Sequence, residues 1–235
     1  MGSIIAIGGG EFTRREIDRL DLRTKELTGK EHPTMLYIPT ASCDEEIDLY
    51  DEYYSELGFK LEKLLLIRDN PDEKTIREAV FSADCIFAGG GDAILLMKEW
   101  KKHSLDSVIR EAFRTTDIVL SGISAGSICW FSLGHTDSLS YYRKDWDYLK
   151  MEGIGLIPAF HSPHFCRERA DSLDKFMRHE TLPGVGLDNG CALEFSDGSY
   201  KIITSMDTAR AHIYRSNADN TCSVEILKDA DTLIL

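Results

Sequence analysis

The chain has 235 residues, 43% of them apolar, and a net charge of −13. That length suits one large α/β domain spanning residues 1–235 with a core of its own. No run approaches the roughly 20 apolar residues of a membrane span, and an anionic surface of this size repels nucleic-acid phosphates.

Taken in chain order, short apolar runs alternate with amphipathic stretches. Met1 to Ile7 is apolar but short and lacks a basic flank, so it reads as a first buried strand over 3–7 and not as an export signal. Gly2 could open a lipidation signal, but Ala6 stands where that pattern wants Ser or Thr. A strand is predicted over 34–38, and then a helix over 44–57 behind the capping stretch Thr40-Ala41-Ser42. A strand over 61–66 precedes the turn Asn70-Pro71-Asp72 and a helix over 74–82. Strand 85–88, helices 92–101 and 105–115, strand 118–122 and helix 125–133 follow. A helix over 167–179 and strands over 184–187, 191–195 and 201–204 complete the series. Strands alternating with helices argue for right-handed βαβ units and a mainly parallel central sheet. Continuous apolar strands place that sheet between two covering layers. From about Gly190 onward strands dominate, which predicts antiparallel additions at the sheet edge.

Six cysteines (Cys43, Cys85, Cys129, Cys166, Cys191 and Cys222) lie at long, irregular spacings without a CxxC pair. They read as reduced structural thiols in the cytoplasm.

Three segments carry chemistry. The first is Ser121-Gly122-Ile123-Ser124-Ala125-Gly126, in which a buried strand runs into Gly-x-Ser-x-Gly and then a helix. A nucleophile in such an elbow is pushed above the sheet, and small neighbours let strand and helix approach closely. The following helix N-terminus offers free N–H groups and a positive dipole end to an oxyanion. The bland alternative is a plain Gly-Ser-Gly turn. The second is Ala88-Gly89-Gly90-Gly91-Asp92, again between strand and helix. It can supply the other half of an oxyanion hole, a phosphate loop, or only a tight turn. The phosphate reading lacks a Walker lysine and a full GxGxxG.

The third is Phe160-His161-Ser162-Pro163-His164-Phe165. A serine nucleophile needs a base, and histidine ionises near neutrality. Of seven histidines (His32, His103, His135, His161, His164, His179 and His212), His103 and His179 sit in charged helical surroundings. One of His161 and His164 is expected as the base and the other as a neighbour or core residue. A metal pair is the rival, but no acidic partner of the HExxH type accompanies it. Asp137 and the pair Asp188-Asn189 are the candidates to orient the base. Gly8-Gly9-Gly10 lacks the rest of a dinucleotide fingerprint and reads as a close-packed turn at the site, with no cofactor expected.

These segments, with Tyr37-Ile38-Pro39-Thr40-Ala41-Ser42, together resemble the dipeptidase E and cyanophycinase family of serine peptidases. The resemblance runs over most of the chain. It implies a three-layer α/β sandwich like that of class I glutamine amidotransferases, with Ser124 where those enzymes carry Cys. It implies Ser124 as nucleophile and His164 as base. It implies oxyanion N–H groups from Gly91 and Ala125, with Gly90 adjacent. Asp137 is the nearest counterpart of an Asp that follows the nucleophile motif in dipeptidase E. Many members carry Glu in a Gly-Leu-x-Glu-Gly segment, where this chain has Gly186-Leu187-Asp188-Asn189-Gly190, so Asn189 holds the Glu position. An Asn can orient a histidine but cannot offset imidazolium charge, and Asp188 is the alternative.

The expected function is a cytoplasmic serine exopeptidase for short peptides, with an N-terminal aspartate as one preference. Arg143, Arg167, Arg169 and Arg210 are the candidate cations for that aspartate, and Tyr141-Tyr142-Arg143 a candidate pocket wall. An esterase or amidase using the same elbow, and a binding protein that has lost catalysis, are the alternatives. A small peptide is the expected partner, a second copy of the chain is another candidate, and no nucleic acid or membrane is expected.

Overall fold

The structure, a computed structural model, describes residues 1–45 and 47–235, without the side chain of residue 47. In chain order it begins with β1 (Ser3–Ile7), α1 (Asp18–Thr28), β2 (Thr34–Ile38), α2 (Ile47–Glu56) and β3 (Lys60–Lys63). Next come α3 (Glu73–Ser82), β4 (Cys85–Ala88), α4 (Ala93–Lys102), α5 (Leu105–Thr115), β5 (Val119–Ile123) and α6 (Ala125–Ile128). The second half holds β6 (Phe131–Thr136), β7 (Leu149–Glu152), β8 (Ile157–Ser162), α7 (Arg167–Met177) and β9 (Gly184–Leu187). It closes with β10 (Cys191–Ser196), β11 (Ser199–Thr204), β12 (Ala211–Ser216), β13 (Cys222–Leu227) and β14 (Thr232–Leu233).

The strands form an eight-stranded sheet in the order β14-β11-β10-β1-β5-β4-β2-β3 and a six-stranded sheet in the order β13-β12-β9-β8-β6-β7. In the first, β1, β5, β4, β2 and β3 pair in parallel. Strands β10, β11 and β14 add antiparallel on the β1 side, as the strand-rich end of the sequence predicts. Period-2 alternation sorts the two faces. Ile4, Ala6, Leu36, Ile86 and Leu120 pack with Ile76 of α3, Trp100 of α4 and Ile109 of α5. Ile5, Ile7, Met35, Phe87 and Val119 pack with Leu20 of α1 and with Tyr50, Tyr53 and Tyr54 of α2. The result is the expected three-layer arrangement. The second sheet joins the first of these clusters through Phe131, Ile157, Val185 and Ile213.

Several predicted boundaries move, among them the helix over 44–57, which spans Ile47–Glu56, and the helix over 167–179, which ends at Met177. The helix expected over 125–133 ends at Ile128, and β6 begins at Phe131. Pairing with β7 and β8 outweighs the apolar run's helical look. The strand expected over 61–66 stops at Lys63, because β3 is an edge strand that pairs with β2 over four residues. Leu64 and Leu66 are buried from the turn that follows. Helix α1 and most of the second sheet are additions to the predicted elements. The expected cap for α2 also differs: Thr40–Ser42 forms its own 3-10 turn, and residue 46 lies outside the described residues. Asp72, by contrast, caps α3 by accepting from the Thr75 N–H at 2.8 Å.

All six cysteines are free; Cys85, Cys129 and Cys191 are buried, whereas Cys43 and Cys166 are exposed. Among the described residues no helix is long and apolar enough to cross a membrane.

One carboxylate lies buried beneath the helices. Asp21 accepts from the hydroxyls of Tyr53 at 2.8 Å and Tyr54 at 3.3 Å. Tyr53 has one proton and also faces Asp18 at 3.0 Å. Burial raises the Asp21 pKa to about 7, against the opposing pull of the two tyrosine bonds. Above about pH 4 the unfolded chain has released this proton, while the native state keeps it until about pH 7, so stability falls as pH rises through that window. At about 1.4 kcal/mol per unit, the loss amounts to a few kcal/mol. Asp21→Asn is expected to flatten the difference in urea midpoint between about pH 5 and pH 8. An unchanged difference would exclude Asp21 as its source.

Candidate active site

Strand β5 ends at Ile123, and Ser124 follows with φ 56° and ψ −115°. A residue with a Cβ adopts such a conformation at a cost of about 1–3 kcal/mol, so its surroundings must enforce it. They do so from both sides. The Ser124 N–H donates to the Ile7 carbonyl at 3.1 Å, and the Ser124 carbonyl accepts from the N–H groups of Ser127 and Ile128 at 3.0 and 3.1 Å. The motif's glycines are a steric requirement. A Cβ on Gly126 would collide with the Ala88 carbonyl, and one on Gly122 with the Gly126 carbonyl. Ser124 itself stays half-buried.

The end of β1 organises the other side of the site. The Gly8 carbonyl accepts from the His164 N–H at 2.8 Å, and the Gly9 carbonyl accepts from the Gly190 N–H at 2.8 Å. Consecutive carbonyls of Ile7, Gly8 and Gly9 therefore hold the loops bearing Ser124, His164 and Asn189. His164 Nδ1 lies 2.7 Å from Asn189 Oδ1. A carbonyl oxygen only accepts, which places the ring proton on Nδ1 and leaves Nε2 unprotonated. His164 is half-buried and Asn189 exposed. Burial lowers the His164 pKa; the Asn189 bond opposes it, and the nearby Arg169 charge adds to the lowering.

The structure separates the remaining candidates. Asp137 Oδ2 accepts from Arg169 at 2.6 Å, so its carboxylate is spent on a guanidinium and not on the His164 ring. Arg169 is buried, and its guanidinium lies 4.9 Å from the Tyr148 ring centroid. Asp188 turns the other way, accepting from the Arg210 N–H at 2.9 Å and meeting His212 Nε2 at 3.1 Å. His161 is buried, with its nitrogens on Ser127 Oγ and the Val185 carbonyl, each at 2.9 Å. Desolvation pushes its pKa down to about 3, so it stays neutral. The two histidines of this segment do not converge as metal ligands.

The glycine loop borders the elbow. A Cβ on Gly90 would stand 3.4 Å from Ser124 Cβ, and Gly91, at φ 132°, passes hard against the Ala41 carbonyl. Ala125 opens α6, so its N–H has no carbonyl within that helix to meet. Because α6 is a single turn, its N–H groups matter more than any helix dipole. The phosphate reading of Gly89–Gly91 meets an obstacle at α4. There the N–H groups are already taken: Asp92 Oδ1 accepts from Ile94 and Leu95, and Ser138 Oγ accepts from Ala93. Beside this loop opens a cavity of about 720 Å³ lined by Ser42, Cys43, Gly91, Leu95, Tyr141 and Tyr142. The Tyr142 hydroxyl donates to Asp92, fixing one wall.

Two features went unread in the sequence. The close approach of Gly9 to the His164–Asn189 pair was legible only as a glycine cluster. The Ser127–His161 bond joins residues whose proximity needs both sheets.

A family pattern described as Peptidase family S51 matches residues 4–203. An uncharacterized peptidase, YgaJ, from Bacillus subtilis is 30% identical over 90% of this chain and 91% of its own length. A cyanophycinase from Geminocystis herdmanii is 28% identical, covering 84% of this chain and 75% of its own. A probable alpha-aspartyl dipeptidase from Drosophila melanogaster is 26% identical over 68% of each. The crystal structure of a peptidase from an acI-B1 Actinobacterium superposes with a TM-score of 0.75 at 21% identity, covering 100% of this chain and 97% of that one.

A Cβ on Gly9 would sit on Asn189 Oδ1 and His164 Nδ1. Gly9→Ala is therefore expected to part the two side chains and cut turnover by about 100-fold, the scale of a 1 Å misplacement. The loss of the downfield Nδ1 proton signal of His164 would accompany it. A fully active Gly9→Ala protein would contradict the contact.

Proposed function

The chain belongs to peptidase family S51, and from that premise we propose that it is a serine exopeptidase cleaving short peptides. Ser124 Oγ attacks the scissile carbonyl carbon while His164 Nε2 takes its proton. The tetrahedral oxyanion accepts hydrogen bonds from the N–H groups of Gly91 and Ala125, with Gly90 adjacent. His164 returns the proton to the leaving amine, the C–N bond breaks, and an acyl-Ser124 ester remains. Water then attacks that ester, giving its proton to His164, and the acid leaves as Ser124 recovers its hydrogen. Asn189 holds the ring in the tautomer with a bare Nε2.

The observation that carries this reading is the row of β1 carbonyls, which brings the Ser124 and His164 backbones to adjacent residues of one strand end. The serine mechanism is further supported by the strained φ of Ser124 and by the glycines that clear its surroundings. For the substrate, the cavity beside Gly91 offers room for a side chain next to the nucleophile. The similarity to a probable alpha-aspartyl dipeptidase supports an N-terminal aspartate among substrates. Six free thiols agree with a reducing, cytoplasmic setting.

The direct test compares wild type with Ser124→Ala on a panel of Asp-X dipeptides. The variant is expected to lose several orders of magnitude in kcat, and equal turnover would remove Ser124 from the mechanism. Faster cleavage of esters lacking a free amino terminus would instead mark an esterase. The pH profile gives a second test. Burial lowers the His164 pKa, so activity should persist to a pH below the ordinary histidine value of about 6.5. Asn189→Asp places a negative charge on the ring and should shift that acid limb upward, and an unmoved limb would remove Asn189 from contact with the base.

A further inference from the structure

A second serine–histidine pair lies under the elbow. Ser127 and His161 are both fully buried, so neither can meet a substrate. His161 Nδ1 faces the Val185 carbonyl at 2.9 Å, and since that oxygen only accepts, Nδ1 carries the proton. Nε2 is then an acceptor, and the Ser127 hydroxyl lies 2.9 Å from it. The same hydroxyl is 2.7 Å from the Ser124 carbonyl, so its single proton lies between two acceptors. The Phe131 ring stacks on His161 at 4.4 Å.

The location of these bonds gives them their meaning. Ser127 is on α6, which starts immediately after Ser124. His161 is on β8, whose chain continues into His164. Val185 is on β9, whose chain continues to Asn189. The three elements that deliver the three site residues are thus cross-linked beneath them, across the junction between the two sheets. The row of β1 carbonyls also holds the N–H groups of Ser124, His164 and Gly190.

We propose that Ser127 and His161 are positioning residues for acyl transfer, a buried cross-link that sets Ser124 against the His164–Asn189 pair. The proposal rests on the serine-peptidase reading above. Neither residue exchanges a proton with substrate; each acts through the backbone it holds.

The test uses Ser127→Ala and His161→Gln in the full chain, with a dipeptide that wild type cleaves and a fluorophosphonate probe. Near-UV circular dichroism first establishes that each variant is folded. In both variants kcat is expected to fall about 10- to 100-fold with KM essentially unchanged, the size of effect a small misplacement produces. The fraction of protein finally labelled should stay near one, while the labelling rate falls in step with kcat. The acid limb of the pH profile should not move, because His164 and Asn189 are untouched. Ser127→Thr, which keeps the hydroxyl, should recover turnover to within about threefold of wild type. A folded Ser127→Ala with wild-type kcat overturns the proposal. So does a loss explained entirely by a smaller labelled fraction, which is what a merely structural role gives. If Ser127→Ala does not fold, Ser127→Cys and His161→Gln carry the same comparison. Retained turnover by Ser124→Ala would overturn the nucleophile assignment, a separate failure read from a separate protein.

Discussion

Three successive backbone carbonyls at the end of β1 set the geometry on which the site depends. Ile7 holds the Ser124 N–H, Gly8 holds the His164 N–H, and Gly9 holds the Gly190 N–H next to Asn189. The parallel register of β1 with β5 pairs Ile7 with Ile123, so the two strands end together and the chain can turn upward at Ser124. On the second sheet, β8 and β9 pair in parallel with Ser162 opposite Gly186, so the chains to His164 and Asn189 leave from one edge. Placing three loops along one strand end requires that no side chain stand between them. That is the physical need for glycine at positions 8 and 9, where any Cβ would strike β9 or the His164–Asn189 pair. The constraint also explains how a serine persists at φ 56°: its amide and its carbonyl are both held.

The electrostatics of the site are unusual for a serine–histidine arrangement. The ring of His164 meets a neutral amide, and the carboxylate of Asp137 is drawn to Arg169. A neutral orienter fixes the tautomer but offers no countercharge to the imidazolium that the proposed attack forms. Arg169 adds positive potential, which lowers the His164 pKa along with burial. The same cation is buried and paired with a half-exposed Asp137.

The features legible in the sequence were those written in local pattern. Apolar runs gave β1 its limits between Gly2 and Gly8, β2 between Pro33 and Pro39, and β4 between Asp84 and Gly89; amphipathic spacing gave α5, and Gly122-x-Ser124-x-Gly126 gave the elbow. The second sheet was mostly hidden. Strand β7 reads Leu-Lys-Met-Glu and borrows its conformation from pairing with β6. Helix α1 carries its buried positions, Leu20, Asp21 and Thr24, in a mostly polar stretch, so periodicity is weak and one core-facing residue is a carboxylate. At the site, Ser124 and His164 stand in distinctive motifs, but the third partner does not. Asp137, Asp188 and Asn189 could each reach a histidine in principle. Choosing among them needs Arg169, 32 residues beyond Asp137, and His212, 24 beyond Asp188, which draw the two carboxylates away.

The most direct test of the Ser124–His164 assignment is peptide mapping of the folded protein after reaction with a fluorophosphonate. The expected result is a single adduct on Ser124, formed quickly by wild type and lost when His164 is replaced by Ala. An adduct that forms equally well without His164, or no adduct on Ser124 in folded protein, would contradict it.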